Sequence, residues 1–393
     1  MRTEGDFIKI NEWLLPFSWL YGLGVKSRNM LFEIGILRSE SFDVPVISVG
    51  NITVGGTGKT PHVEYLISLL KDKMKVAVLS RGYKRRTRGF VIVDDKATAR
   101  TVGDEPLQMK RKYGDDITVA VDRKRCHGIR QLTEGETKND IDVVLLDDAF
   151  QHRYVKPGVN ILLVDYHRLI IYDKLLPAGR LREPLSGKNR ADIVIVTKCP
   201  HDLKPMEFRV ITKAMNLYPF QRLYFTCLEY DNLKSVFGDE VMAFDSIGHD
   251  NHVMLLTGIA SPRQMIEDLT PKCPNIKPLT FGDHHTFKAS DVALINSEFA
   301  AMPQPKMIIT TEKDATRLID AKGLSDEVRA AMYVMPVKIK FMLGKEESFN
   351  EKIIGYVRKN SRNSILAKAK DDHKAGNGNN TGNGSRTISF RNN

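Results

Sequence analysis

An α/β fold with a parallel sheet covered by helices on both faces, followed by a smaller α/β unit, is predicted by three features of this 393-residue chain. Short, near-continuous apolar runs alternate with helical patterns over residues 44–197, as expected of strands buried on both faces. A glycine-rich segment at 50–61, G-N-I-T-V-G-G-T-G-K-T-P, joins the first of those runs to a helical pattern. After about residue 220 a similar alternation resumes on a smaller scale.

Taken in order, the chain opens with an apolar, aromatic stretch over 13–25 that holds both tryptophans, Trp13 and Trp19. It is too short for a bilayer core, which takes about 20 helical residues, and Pro16 is expected to break it further. Met30, Leu31, Ile34 and Leu37 follow at helical spacing beside Arg28 and Arg38. Two readings fit: an in-plane membrane contact, or an N-terminal helix packed on the body of the protein. Strands are predicted over 44–49, 75–80, 117–121, 141–146, 160–165 and 192–197. Val63, Leu66, Ile67 and Leu70 mark the helix after the glycine-rich segment, and 107–113 is a second helical pattern. Beyond 220, residues 223–228 and 241–245 are expected to pair as a short antiparallel connector. Strands are then predicted over 252–256, 306–311 and 332–337, with helices near 262–269 and 289–301. The tail past 358, with A-G-N-G-N-N-T-G-N-G at 375–384, has too little apolar surface to fold.

A composition of 42% hydrophobic and 27% charged residues is ordinary for globular domains and excludes disordered and fibrous classes. Cys126, Cys199, Cys227 and Cys273 are widely spaced with no C-x-x-C pair, so neither a zinc site nor a disulfide framework is expected; a reducing, cytoplasmic setting fits. Glu4, Asp6 and Glu12 lie ahead of the apolar stretch at 13–25, and there is no basic n-region followed by a small-residue cleavage site, which argues against a secretory signal. The net charge of +11 is uneven: residues 358–393 hold eight Lys/Arg against two Asp, a share of +6. The remainder gathers at Arg81, Lys84, Arg85, Arg86 and Arg88, and at Lys110, Arg111, Lys112, Arg123, Lys124 and Arg125. Such clusters attract polyanions, whether nucleic acid, a phosphorylated substrate or an anionic membrane, and composition does not choose among them.

The segment at 50–61 reads as a phosphate-binding loop. Backbone N–H groups of Val54, Gly55, Gly56, Thr57 and Gly58 can face one anion, Lys59 reaches the β/γ-phosphates, and the Thr60 hydroxyl can hold Mg²⁺. Thr53 stands where the strict G-x-x-x-x-G-K-[ST] pattern has its first glycine, so context between strand and helix carries the reading. Asp147 and Asp148 end an apolar strand, which suits either a turn or the acid that P-loop enzymes place on the metal and its waters. G-D-E-P at 103–106 is good helix-capping chemistry; in a functional role Asp104 or Glu105 would point into the nucleotide cleft. F-G-D-H-H-T-F at 281–287 offers His284 and His285, poor co-ligands for one metal but one of them a possible proton acceptor with a carboxylate partner. L-P-A-G-R-L-R-E-P at 176–184 displays Arg180, Arg182 and Glu183, and an arginine can neutralise charge on a transferring phosphoryl group.

Together these segments resemble the tetraacyldisaccharide 4'-kinase family, the lipid A 4'-kinases of Gram-negative bacteria. The match is ordered along the chain: the loop at 50–61, S-R-G-Y at 80–83, G-D-E-P at 103–106, D-D-A-F-Q-H at 147–152, L-R-E-P at 181–184, F-G-D-H-H-T-F at 281–287 and T-E-K-D at 311–314. Ala149 departs from a family glycine and Arg180 from a family proline; neither change removes a chemical group. The resemblance implies a P-loop NTPase-like core that transfers the ATP γ-phosphate to the 4'-hydroxyl of tetraacyldisaccharide 1-phosphate, forming lipid IVA. The expected setting is peripheral, on the cytoplasmic face of the inner membrane, as a monomer that binds lipid and no nucleic acid. It further implies that Lys59 and Thr60 bind phosphate and Mg²⁺, that Asp104 is the catalytic base with His284 as partner, and that Arg182 meets the transferring phosphate. Thr60, Asp147, Asp148 and Glu183 would serve the metal or its waters, and Tyr83 the wall of the site. The matching division is a membrane-associating segment over 1–40, a kinase core over 41–220, a connector over 221–250, a smaller domain over 251–357 and a basic tail over 358–393. A GTPase or nucleic-acid-dependent ATPase is the rival class, but T-K-C-P at 197–200 and T-E-K-D at 311–314 both fail the N-K-x-D guanine pattern. A non-catalytic membrane-docking module is the other rival.

Overall fold

A computed structural model describes residues 8, 10–134, 140–259, 262–283 and 285–361. Glu4, Asp6, His284 and the tail from 362 lie outside them. A 3₁₀ turn (Glu12–Leu14) leads into helix α1 (Leu15–Glu33), and Pro16 sits in the first turn of α1. An N–H missing there would have had no helical partner, so Pro16 starts the helix and does not break it as the sequence suggested.

The elements that follow are β1 (Val46–Gly50), α2 (Lys59–Leu70), β2 (Val76–Ser80), β3 (Val91–Ile92), α3 (Ala99–Val102), α4 (Asp104–Tyr113), β4 (Ile117–Val121) and α5 (Arg125–Glu134). Then come β5 (Val143–Asp147), β6 (Val159–Asp165), β7 (Ile193–Thr197), α6 (Pro205–Met215) and β8 (Arg222–Tyr230). A smaller unit holds β9 (Leu233–Ser235), β10 (Val241–Met242), β11 (His252–Thr257), α7 (Arg263–Leu269), β12 (Ile276–Thr280), α8 (Ala289–Ala300), β13 (Lys306–Thr310), α9 (Glu312–Leu318), α10 (Asp326–Ala330) and β14 (Met332–Val334). The chain closes with β15 (Val337–Phe341) and α11 (Glu346–Asn360).

Among the described residues β15-β8-β7-β6-β1-β5-β2-β4-β3 form one sheet, parallel except at its two edge pairs. Central strands β1, β2, β5 and β7 are buried along their whole length, which is why their sequences are continuously apolar and do not alternate. On one face Val63, Leu66, Ile67 and Leu70 of α2 pack with Phe349, Ile353 and Val357 of α11. On the other, Ile129 and Leu132 of α5 cover one half of the sheet, and Phe208, Ile211 and Met215 of α6 the other half. The smaller sheet runs β10-β9-β14-β13-β11-β12 and has a core on each face.

Two expectations are corrected. The 223–228 run does not pair with 241–245: β8 lies parallel to β7 and antiparallel to β15, all in the large sheet, while β10 pairs with β9 in the small one. The smaller unit does not run on to 357, because β15 and α11 return to the large core. Apolar side chains at Phe341, Phe349, Ile353 and Val357 drive that return, since they complete the surface over α2.

Candidate active site

The phosphate-binding loop leaves the carboxyl end of β1, the edge of a parallel sheet where ligands bind. Gly50 is required there, because a Cβ would stand 2.7 Å from the Phe150 backbone nitrogen. Gly58 caps α2 in the left-handed region at φ 77°, turning the chain so that Lys59 and Thr60 open the helix. The loop is anchored from behind. Asn51 Nδ2 donates to Thr57 Oγ1 at 2.8 Å, and Thr197 Oγ1 donates to the Thr57 carbonyl at 3.0 Å. Lys198 Nζ donates to the Gly56 carbonyl and pairs with Asp165 at 2.9 Å. Burial pushes the His62 imidazole down to about 4, so it is neutral at pH 7. Its Nδ1 then donates to the Gly58 carbonyl at 2.7 Å, and its Nε2 accepts from Thr226 Oγ1 at 3.1 Å.

Sheet register sets Asp147, the last residue of β5, beside Val49, just before the loop. Ser80 Oγ donates to Asp147 Oδ2 at 3.2 Å, and Oδ1 is buried without a hydrogen-bond partner. Burial pushes the Asp147 carboxyl up to about 7, with the charges of Glu105 and Asp148 adding to the effect. Asp148 adopts a left-handed backbone at φ 46°, and its carboxylate lies 3.7 Å from Lys59 Nζ and 3.8 Å from Arg182 Nη1. Arg182 reaches this point through a short backbone ladder: Val54 N donates to the Arg180 carbonyl at 2.8 Å and Arg182 N to the Ile52 carbonyl at 2.7 Å. Helix α1 meets the same segment, where Tyr21 Oη donates to the Arg182 carbonyl at 2.9 Å.

Glu183 is buried and held by Arg190 at 2.8 Å, with Oε1 lacking a hydrogen-bond partner. Among the described residues no three carboxylate, imidazole or thiol groups converge as metal ligands, so Asp147, Asp148 and Glu183 do not form one ligand cluster. The pairing with Arg190 is the physical reason for setting Glu183 apart. Asp147 thus presents an unpartnered buried oxygen on a carboxyl whose ionisation is opposed by burial and by neighbouring acids, and a cation or its water shell there would supply the missing partner and counter-charge.

Asp104 opens α4 and its Oδ2 accepts from Arg317 Nη2 at 2.5 Å, across to the smaller unit. Gly103, at φ 95°, brings S-R-G-Y and G-D-E-P together, since a Cβ there would meet the Tyr83 carbonyl at 3.1 Å. Tyr83 is exposed on that rim. His285 Nε2 bonds Asp291 Oδ2 at 2.8 Å and its ring stacks on Phe281, so it secures the start of α8. A cleft of about 530 Å³ runs from 56–61 to the smaller unit, with Gln108, Tyr230, Met265, Lys313 and Met335 on its walls.

Part of the basic cluster proves structural. Arg85 is buried and donates to the Val121 and Gly89 carbonyls, Arg125 donates to the Asp147 carbonyl, and Lys110 pairs with Asp115. The anchors Asn51, His62, Thr197 and Lys198 were missed in the sequence. They bond loop carbonyls or neighbouring side chains, and no spacing pattern announces that.

A profile of the family described as tetraacyldisaccharide-1-P 4'-kinase (LpxK) matches residues 10–358. The tetraacyldisaccharide 4'-kinase of Phocaeicola vulgatus is 56% identical over 363 residues, covering 92% of this chain and 99% of that protein. Its counterpart in Flavobacterium johnsoniae is 45% identical over 352 residues, covering 89% and 98%. The crystal structure of Aquifex aeolicus LpxK in complex with ATP superposes with a TM-score of 0.67 at 32% identity, covering 88% of this chain and 98% of that one. The chain therefore belongs to the tetraacyldisaccharide 4'-kinase family.

Proposed function

We propose that the groups around the phosphate-binding loop carry out this family's reaction, transfer of the ATP γ-phosphate to the 4'-hydroxyl of tetraacyldisaccharide 1-phosphate, which yields lipid IVA. The observation that carries the assignment of roles is the array of Lys59, Asp148 and Arg182 at the mouth of a backbone anion cradle. Backbone N–H groups of 54–60 and Lys59 bind the β- and γ-phosphates, and Arg182 neutralises the transferring group. Thr60 with Asp147 and Asp148 would hold Mg²⁺, with Glu183 acting through Arg190 and not as a direct ligand. When bound, the ion neutralises charge on the phosphate oxygens. Asp104 aims the 4'-hydroxyl and receives its proton as the O–Pγ bond forms and the bond from Pγ to the departing ADP breaks. His284 is the partner the family pattern assigns to it. Because phosphoryl transfer is loose, positioning and charge neutralisation outweigh base strength.

The N-terminal helix supports membrane contact for the same reaction. Trp13 is 91% and Trp19 81% exposed, with Phe17, Leu20, Leu23 and Met30 exposed beside them. Ser18 and Gly22 instead face the body, with Ser18 Oγ donating to the Leu175 carbonyl. No described helix is long and apolar enough to cross a membrane; the exposed aromatic and apolar side chains support an in-plane contact, which this family's reaction would put on the cytoplasmic face of the inner membrane. Replacing Trp13 and Trp19 with Ser is expected to lower sedimentation with anionic phospholipid vesicles at least about tenfold, as two interfacial aromatics are lost. Unchanged binding would remove the segment from Trp13 through α1 from that role.

A further inference from the structure

We infer that Arg317 is a positioning residue for the reaction: it holds the Asp104 carboxylate in the orientation that receives the acceptor hydroxyl, and does so only while the two units are docked. The inference rests on the proposed role of Asp104. Arg317 lies on α9 of the smaller unit and its side chain is 7% exposed. Its Nη2 donates to Asp104 Oδ2 at 2.5 Å, and its Nη1 to Asp314 Oδ1 at 3.0 Å. Asp314 is fixed in turn, fully buried, accepting from Gly258 N at 2.8 Å and Thr311 Oγ1 at 2.7 Å. A side chain at 258 would crowd this carboxylate, since a Cβ would stand 2.8 Å from Asp314 Oδ1.

A continuous chain of charge-assisted bonds thus runs from the carboxyl ends of β11 and β13, through Asp314 and Arg317, to the first residue of α4. A planar guanidinium with two committed nitrogens fixes direction as well as distance, which a lysine ammonium does not. One turn earlier on α9, Lys313 lies 3.0 Å from Asp283 and 3.9 Å from Glu105. The i, i+4 cations of α9 therefore face the consecutive acids of G-D-E-P. Arg317 donates to Asp104 Oδ2, and a carboxylate accepts several hydrogen bonds at once, so the same group can receive a hydroxyl beside the guanidinium. The balance of the step is unchanged: the hydroxyl proton passes to Asp104, the O–Pγ bond forms, and ADP leaves. Arg317 touches neither substrate nor phosphate in this scheme.

The test is steady-state transfer from ATP to tetraacyldisaccharide 1-phosphate in mixed micelles by the full chain and by Arg317→Gln, Arg317→Lys, Asp104→Asn and the Arg317→Gln/Asp104→Asn pair. Arg317→Gln is expected to lower kcat about 100-fold with KM for either substrate within about threefold, the pattern of an interaction made in the transition state. Arg317→Lys should recover about tenfold of that loss, and the double variant should be within about threefold of Asp104→Asn alone, because the two residues act as one unit. Wild-type or raised kcat in Arg317→Gln, a change confined to KM for ATP, or losses that multiply in the double variant would each overturn the inference. If Arg317→Gln does not fold, Arg317→Lys decides: a tenfold fall in kcat at constant KM upholds the role and wild-type kcat ends it. Asp104→Asn with full activity would sink the reading of Asp104 and this inference together. Inactive Asp104→Asn beside unaffected Arg317→Gln would sink only the latter.

Discussion

Lys59 Nζ lies 3.7 Å from the Asp148 carboxylate at the start of α2, the position at which the proposed reaction needs a cation. Lys59→Ala should cut kcat/KM by about 10²–10³, the usual cost of removing one preorganised electrostatic contact to a transition state. Asp147 gives a pH prediction. Its pKa is raised to about 7 in the folded chain, above the roughly 3.9 of an unfolded aspartate, so the folded state holds the proton longer. This group's contribution is therefore most favourable at low pH and is lost as pH rises from about 4 through about 7. His62 acts in the opposite sense, being kept neutral by burial, and its penalty grows as pH falls from about 6.5 towards about 4. Comparing Asp147→Asn with wild type cancels the histidine. The variant should gain stability relative to wild type as pH rises from 5 to 8 in thermal unfolding without Mg²⁺, and saturating Mg²⁺ should shrink that gain. A gap independent of pH would show that Asp147 ionises normally.

At the scale of elements, the strands of the large sheet were legible because burial on both faces leaves no alternation to blur them, and β1, β2, β4, β5, β6 and β7 all fall within two residues of expectation. The phosphate loop was legible because glycine and lysine chemistry is local. The return of β15 and α11 was not, because the Lys340–Glu229 contact that accompanies the β8–β15 pairing joins residues 111 apart in sequence. Pro16 was misread because the same residue that breaks a helix interior is favoured in its first turn. Arg182 was placed on its loop, but the ladder with 52–54 that carries it to Asp148 has no sequence signal. Phe349 tests the return: it is 1% exposed, with its ring tilted against Phe341 at 4.5 Å and edge-on to Tyr65 at 6.0 Å in the large core. Phe349→Ala should cost about 3–5 kcal/mol in equilibrium unfolding, as for other buried aromatics. A cost under 1 kcal/mol would place α11 outside that core.

For the whole molecule, the contact between α4 and α9 decides how the two units work together. Besides Arg317, Lys112 bridges Glu64 of α2 at 2.6 Å and Glu312 of α9 at 2.7 Å, and Arg111 donates to the Thr316 carbonyl at 2.8 Å. Burial and the nearby Glu312 charge push the Glu64 carboxyl up to about 7. Removing the cation with Lys112→Met leaves two acids facing each other and should cost about 1–3 kcal/mol, discounted from a fully buried pair because Lys112 is partly exposed. Thermal unfolding would register this as a lower Tm, smaller at pH 5 than at pH 8, since protonated Glu64 needs no partner. These links span the cleft between the phosphate loop and the smaller unit, so on the proposed mechanism substrate and proton acceptor meet only when both units are in place. The most direct measurement is transfer of labelled γ-phosphate from ATP to tetraacyldisaccharide 1-phosphate in mixed micelles, by wild type, Lys59→Ala and Asp104→Asn. The account predicts a 4'-phosphorylated product from wild type and its near-complete loss in both variants; product formed at wild-type rates by either variant, or none by the wild type, would contradict it.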